Sequence, residues 1–205
     1  MDPSTSPSNP ADDPTPGLDP RAQERAHDER LVARAIQGDQ AAFEEIYERH
    51  RHAVYKVALG MLRNPEDALD VVQETFVKAH KSLARFERRA SIGTWLCQIG
   101  LHQAIDLQRR RKVRKADPLE EGRVAETSRP APATLAEGSE LQAALTKALD
   151  ELSDKHRQVF VLYTVKGLSY KEIAEVVGIS VGTVMSRLFY ARKNLQGKLA
   201  QFAPR

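Results

Sequence analysis

The side chains best able to do chemistry in this chain are cationic and lie close to its C-terminus. Residues 140–205 carry ten Lys and Arg against six Asp and Glu, which leaves a net charge of +4. From Val176 onward there is no acidic residue, while Arg187, Arg192 and Lys193 are all basic. A helix whose charges are all positive binds a polyanion by releasing the counterions condensed on that polyanion. The chemistry that this segment predicts is therefore electrostatic binding to nucleic acid.

The element that carries these cations is predicted to be a pair of helices joined by a tight turn. Ser169 and Glu172 have the spacing of a capping box at the start of the first helix. Gly178 supplies the left-handed residue that ends it, and Ser180 caps the second. The pattern is typical of a DNA-binding helix-turn-helix, and an ordinary helical hairpin in a core is the alternative. The inward-facing residues are expected to be Ile173, Ala174, Val177, Val184, Leu188, Ala191 and Leu195.

A second candidate surface is acidic and lies on a helix that begins at Pro65. Asp67, Asp70 and Glu74 are three and four residues apart, so they share one helix face, with Leu69 and Gln73 beside them. An acidic face on a domain that is otherwise basic favours a protein partner over DNA. A solvated helix face, with its first acids placed to suit the macrodipole, is the competing interpretation.

A third candidate site combines aromatic and cationic groups between Phe86 and Lys115. The loop through Phe86 precedes Trp95, and the following helix ends in the basic run RRRKVRK. Aromatic faces stack on unpaired bases while cations contact the phosphates, so this segment is suited to single-stranded DNA. Taken singly, Phe86 and Trp95 are better interpreted as core residues.

The remaining sequence argues against an enzyme. The six histidines are scattered, and there is no paired-cysteine zinc spacing, glycine-rich phosphate loop or nucleophile elbow. Catalytic residues, cofactors and metal ligands are all expected to be absent. Cys97 is the single cysteine and is expected to be a small buried residue. No run of eighteen apolar residues exists, so we expect no membrane insertion and a cytoplasmic location.

Helical periodicity without strand-like alternation predicts an all-α protein with two small helical domains. Residues 1–27 are rich in proline and expected to be a disordered tail, and 28–115 a four-helix N-terminal domain. Residues 116–139 are expected to form a flexible acidic linker, and 140–205 the helix-turn-helix domain. The last helix of the first domain is expected over Thr94–Arg111.

Three segments together resemble the extracytoplasmic-function (group IV) sigma factors of bacterial RNA polymerase. They are DALDVVQETFVKAHKSLARF, SIGTWLCQIGLHQAIDLQRRRK and GISVGTVMSRL, in that order. The resemblance implies a sigma2-like and a sigma4-like domain that bind the polymerase core, recognise a bipartite promoter and open it. A stand-alone helix-turn-helix regulator with an N-terminal sensing or dimerisation domain is the alternative. The implied partners are the core enzyme (its clamp helices and flap), promoter DNA and an anti-sigma factor, with one sigma chain bound per core.

The resemblance also implies roles for individual residues. Those expected to dock on the polymerase core are Leu69, Asp70, Gln73 and Glu74. Those expected to bind the minus-ten element are Phe86, Arg88, Arg89, Ser91, Thr94, Trp95, Gln98, Arg109, Arg110, Arg111 and Lys112. Those expected to bind the minus-thirty-five element are Ser180, Gly182, Thr183, Ser186, Arg187, Tyr190, Arg192 and Lys193.

Four positions depart from the family pattern. Met185 stands where Lys is common, and Tyr190 where Arg is frequent, so phosphate contacts there are expected to be weaker. His102 replaces a usual Asn and Leu101 a frequent Arg, which puts the details of minus-ten recognition in question.

Overall fold

The structure, a computed structural model, describes residues 20–115 and 140–202, and within them it is all-α. The expected linker, and all of the expected tail before residue 20, lie outside these ranges. Two short 3-10 turns, Leu83–Arg85 and Ala200–Phe202, accompany the described helices. The helices are α1 (Pro20–Ile36), α2 (Gln40–Leu62), α3 (Pro65–Ser82), α4 (Ile92–Lys115), α5 (Glu140–Asp150), α6 (Asp154–Lys166), α7 (Tyr170–Val177) and α8 (Val181–Lys198).

Local signals set most of the helix boundaries. Gly38 has φ +92° and ends α1, after which the Asp39 side chain accepts a hydrogen bond from the amide of Ala42 and caps α2. Asn64 caps α3 in the same way, with Pro65 in its first turn. Two helices are longer than expected. α1 begins at Pro20, before Asp28, because residues 21–26 are mostly good helix formers, and α4 runs two residues further at its start and four at its end.

Helix α2 is the centre of the N-terminal domain, with α1, α3 and α4 packed around it. Val54, Phe76 and Leu96 come from three of these helices and are all buried in one cluster. A charged group fixes α1 to α2: the Asp28 carboxylate lies 2.9 Å from Arg49 Nε and 3.1 Å from His50 Nε2. Burial alone raises the pKa of Asp28, but hydrogen bonds and charges from His50 and Arg49 outweigh it, so the pKa is lowered.

The C-terminal helices confirm the predicted helix-turn-helix. Ser169 and Glu172 form the complete capping box, and Gly178 ends α7 with φ +70°. Helices α7 and α8 meet at a bend of 101°, the geometry of this motif. The four predicted inward residues of α8 are buried, as are Ile173 and Ala174, whereas Val177 is only partly buried.

The two sets of helices pack directly against each other. Gly60 on α2 faces Val161 on α6 so closely that a Cβ at Gly60 would lie 2.8 Å from a Val161 methyl. Beside this contact Arg63 is paired with Asp150 at 2.6 Å. Buried residues of both domains therefore belong to one continuous apolar cluster. The sequence predicted two domains joined by an acidic spacer, and the structure adds that the described parts of both share one core.

Candidate protein-binding and DNA-binding surfaces

The four residues expected to bind the polymerase core form an exposed surface on α3, here called the α3 patch. Leu69, Asp70, Gln73 and Glu74 are all solvent-exposed, and the Leu69 side chain, at 54% exposure, is unusually open for leucine. Asp67 does not join them, although its spacing predicted that it would. Its carboxylate is 13% exposed and is held 2.5 Å from Arg111 of α4. The patch thus combines two carboxylates, one amide and one leucine, a mixture suited to protein contact.

The segment between α3 and α4 places its two aromatic rings against each other. Phe86 and Trp95 have ring centroids 5.0 Å apart, and both are only partly buried. Ser91 accepts a hydrogen bond from the amide of Thr94 at 3.1 Å and so caps α4. Arg88 adopts a left-handed conformation with φ +56°. The predicted residues of this loop are therefore brought together, but Ser91 and the buried Thr94 also have structural roles.

A cationic groove lies beside Trp95. It is open to solvent, has a volume of about 440 Å³ and is lined by Lys78, Lys81, Ser82, Arg85, Trp95 and Ile99. Three cations next to an indole ring form the combination that binds a nucleotide through its phosphate and its base. The sequence reasoning missed Lys78, Lys81 and Arg85. Their spacing of three and four residues just before the loop was the signal that could have found them.

The basic end of α4 is already partly neutralised. Arg111 is paired with Asp67, and the ammonium of Lys112 lies 2.7 Å from the carboxylate of Asp154 on α6. The hydrogen bond from Lys112 lowers the pKa of Asp154 despite some burial of that carboxyl. Arg109 is only 4.0 Å from Asp106, and Arg110 is exposed. Of the four predicted phosphate contacts, Arg111 and Lys112 are therefore hydrogen-bonded to carboxylates of other helices, and Arg109 forms a looser ion pair within α4.

A similar contact covers the start of α4. The Thr94 hydroxyl lies 3.4 Å from a carboxylate oxygen of Glu172, which belongs to the capping box of α7. The helix-turn-helix domain thus sits against the first turn of the helix expected to bind the minus-ten element.

Helix α8 presents its predicted DNA-binding residues on the side away from its core. The Ser180 hydroxyl caps the helix by accepting a hydrogen bond of 3.2 Å from the amide of Thr183. The exposed residues of this face are Gly182, Ser186, Tyr190 and Lys193. Thr183 and Arg187 are half-buried at the edge of this face. The guanidinium of Arg192 stacks 4.7 Å from the ring centroid of Tyr163. The Tyr190 ring also lies 6.2 Å from that of His156 on α6, so three predicted residues, Ser180, Tyr190 and Arg192, contact their own domain.

No group of three or more His, Cys, Asp or Glu side chains within residues 20–115 and 140–202 could hold a metal ion. No single helix of the described chain is both long and apolar enough to cross a membrane; only α7 and α8 taken together have that length and composition. Cys97 is buried among apolar neighbours, as predicted.

Known protein families match both halves of the chain. Residues 46–114 match the family Sigma-70 region 2, and residues 142–195 match Sigma-70, region 4. The first match contains the α3 patch and the segment from Phe86 to Trp95, here called the aromatic loop. The second contains the helix-turn-helix.

Individual relatives agree with these matches. The chain is 33% identical over 186 residues to the ECF RNA polymerase sigma-E factor of Escherichia coli K12, covering 86% of this chain and 96% of the relative. It is 36% identical over 169 residues to the ECF RNA polymerase sigma factor SigE of Mycolicibacterium smegmatis, of which it spans 65%.

Two solved structures share the fold. CnrH in complex with the cytosolic domain of CnrY matches with a TM-score of 0.65 and 31% identity, over 86% of this chain and 99% of that one. The sigma factor RpoE of Bartonella quintana, in complex with the anti-sigma factor NepR, gives 0.64 and 28%, over 77% and 96%. The chain therefore belongs to the extracytoplasmic-function RNA polymerase sigma factors and acts in transcription initiation, in preference to the stand-alone regulator considered above.

Proposed function

We propose that this sigma factor divides its work among three surfaces: the α3 patch binds the polymerase core, the aromatic loop with its cationic groove binds the minus-ten element, and α8 binds the minus-thirty-five element. The observation that carries the proposal is the exposure of the whole α3 patch on a domain whose net charge is positive. A polyanion is repelled by Asp70 and Glu74, whereas a protein surface can accept them.

Opening of the promoter then follows from capture of unpaired bases. Extruding a base from a duplex costs a few kcal/mol, which stacking and phosphate contacts can offset. Trp95 and Phe86 supply aromatic faces, and Lys78, Lys81 and Arg85 supply charge along the same groove. The factor itself makes and breaks no covalent bond in this proposal, and the polymerase supplies the chemistry.

The packed arrangement of the two domains cannot reach both promoter elements at once. Elements centred 25 base pairs apart are separated by about 85 Å along B-DNA. A compact chain of this length is roughly 45 Å across. We therefore propose that the contacts Gly60–Val161, Arg63–Asp150 and Lys112–Asp154 break when the factor binds polymerase and promoter.

An anti-sigma factor is the proposed inhibitor. RpoE of Bartonella quintana was solved with the anti-sigma factor NepR, and CnrH with the cytosolic domain of CnrY. We propose that a polypeptide of this kind inhibits this chain by covering the α3 patch, which is exposed in the free protein. We propose a cytoplasmic location, because both proposed partners, polymerase and promoter DNA, lie in the cytoplasm. We also propose that one sigma chain binds each core enzyme.

Transcription in vitro with purified core enzyme tests the proposal. The full-length chain should start transcripts at specific promoters, and Asp70→Ala or Gln73→Ala should weaken core binding about thirtyfold, which corresponds to the loss of about 2 kcal/mol at an interface hot spot. Duplex binding by the free variants should be unchanged. Glu66→Ala is the matched control, since Glu66 is an exposed acid of α3 outside the patch. Equal loss of core and duplex binding, or no promoter-specific transcripts, would refute the assignment.

A further inference from the structure

Helix α8 carries an apolar edge that lies outside the apolar clusters of the described residues. Val181, Met185 and Phe189 are four residues apart, so they form one line along the helix, and they are 38%, 54% and 61% exposed. Tyr190 beside them is 58% exposed, and its ring contacts that of Phe189 edge-on at 5.5 Å. Of the eight exposed large apolar side chains in the described residues, these four lie on one helix.

This edge is distinct from the face that packs in the core. Val184, Leu188 and Ala191 are 0%, 1% and 0% exposed and hold α8 against its own domain. The exposed line lies beside that face, and no apolar cluster of the described residues includes it, so it is available to a partner. A row of this kind on a soluble surface marks a binding site.

The charge of the helix indicates a polyanionic partner. α8 contains Arg187, Arg192, Lys193 and Lys198 but no Asp or Glu. An apolar protein groove rimmed with mixed charges would be matched by a mixed rim on α8, which is absent. DNA fits both features, because its phosphates face the cations and its major groove offers one apolar group, the 5-methyl of thymine.

We propose that Met185 and Phe189 read thymine methyl groups in the minus-thirty-five element, an inference that rests on the proposed function of α8. Four helical residues rise about 6 Å, close to two base-pair steps of about 3.4 Å each. The two side chains therefore specify thymines roughly two base pairs apart, on either strand. Met185 sets this chain apart, because the family resemblance puts a lysine at that position. A lysine would bind a phosphate, whereas a methionine can contact a thymine methyl group.

The test uses holoenzyme formed from full-length factor and polymerase core. A minus-thirty-five duplex selected from a randomised pool is remade with deoxyuridine in place of each thymine, which removes only the methyl group. The wild-type factor should lose about fourfold in affinity at each of two thymines, the factor for burying one methyl. With Met185→Ala one of these losses should disappear, and with Phe189→Ala the other.

The controls separate this inference from the function on which it rests. Ile36→Ala removes another exposed apolar side chain, 42% exposed at the end of α1 and outside the three proposed surfaces, and should keep the wild-type response to deoxyuridine. Promoter-specific transcription from the unmodified thymine template is measured in parallel. Intact transcription with no deoxyuridine effect, or the same effect in all variants, would overturn the inference alone. Weaker core binding with an unchanged deoxyuridine response would assign the edge to a protein partner and overturn it equally.

Discussion

The two proposed DNA-binding surfaces differ in how accessible they are while the two domains are packed together. On α8 most of the proposed DNA-binding residues are exposed, and none of them takes part in the hydrogen bonds and ion pairs described above between the two domains. At the minus-ten surface two residues contact the C-terminal domain: Thr94 contacts Glu172, and Lys112 contacts Asp154. The minus-thirty-five surface is thus preformed, while part of the minus-ten surface becomes available only when the domains separate. The difference teaches that domain packing can control one readout without affecting the other.

The largest effect on this difference is expected from Gly60→Leu. A side chain there collides with Val161, and overpacking of this kind costs about 1–3 kcal/mol. The equilibrium should therefore shift toward separated domains by about five- to 150-fold, and small-angle scattering of the free protein should show a larger radius of gyration. Binding of single-stranded minus-ten DNA should rise, whereas binding of a minus-thirty-five duplex should stay constant.

Gly197→Leu is the matched control, because nothing lies within 4 Å of a Cβ at Gly197 on α8. An unchanged radius of gyration for Gly60→Leu, in a protein that is still folded by circular dichroism, would contradict the packing described here.

A smaller effect is expected from the ion pair between Arg63 and Asp150, whose side chains are 35% and 39% exposed. Pairs this exposed contribute about 0.2–1 kcal/mol. Arg63→Glu should loosen the packed form, and adding Asp150→Lys should restore it, as followed by energy transfer between dyes on the two domains. If the double variant is as open as the single one, the two residues do not hold the domains together.

The smallest effect is a pH dependence. The pKa of Asp154 is lowered from its ordinary 3.8 chiefly by Lys112, so the ionised carboxylate stabilises the packed form above that value. This contribution is lost as the pH falls through the lowered pKa, and it amounts to less than about 1 kcal/mol because Asp154 is 40% exposed. Asp154→Asn should therefore open the domains slightly at neutral pH and reduce further opening on acidification.

Asp28 provides the comparison within one domain. Its pKa is also lowered, but by His50 and Arg49 of the same domain, against the effect of burial. Asp28→Asn should change the pH at which the N-terminal domain unfolds in acid. It should leave the interdomain distance at neutral pH unchanged. A change in that distance as large as for Asp154→Asn would refute the separation of the two roles.

The features predicted correctly from the sequence are those that neighbouring residues decide. The Ser169–Glu172 cap, the left-handed Gly178 and the buried face of α8 each depend on residues within two turns. The failures involve distant partners: Asp67 turns to Arg111, 44 residues away, and Gly60 meets Val161 across the domain boundary. Helical spacing indicates which residues share a face, but not which other helix covers that face.

The most direct measurement is the distance between a dye on α3 and a dye on α8 in the full-length protein, free and then bound to core enzyme and promoter. Packed domains predict a short distance in the free factor and an increase to several tens of ångströms in the complex, as two elements about 85 Å apart require. An equal distance in both states, with promoter-specific transcription intact, would contradict the proposal that the domains separate to read the promoter.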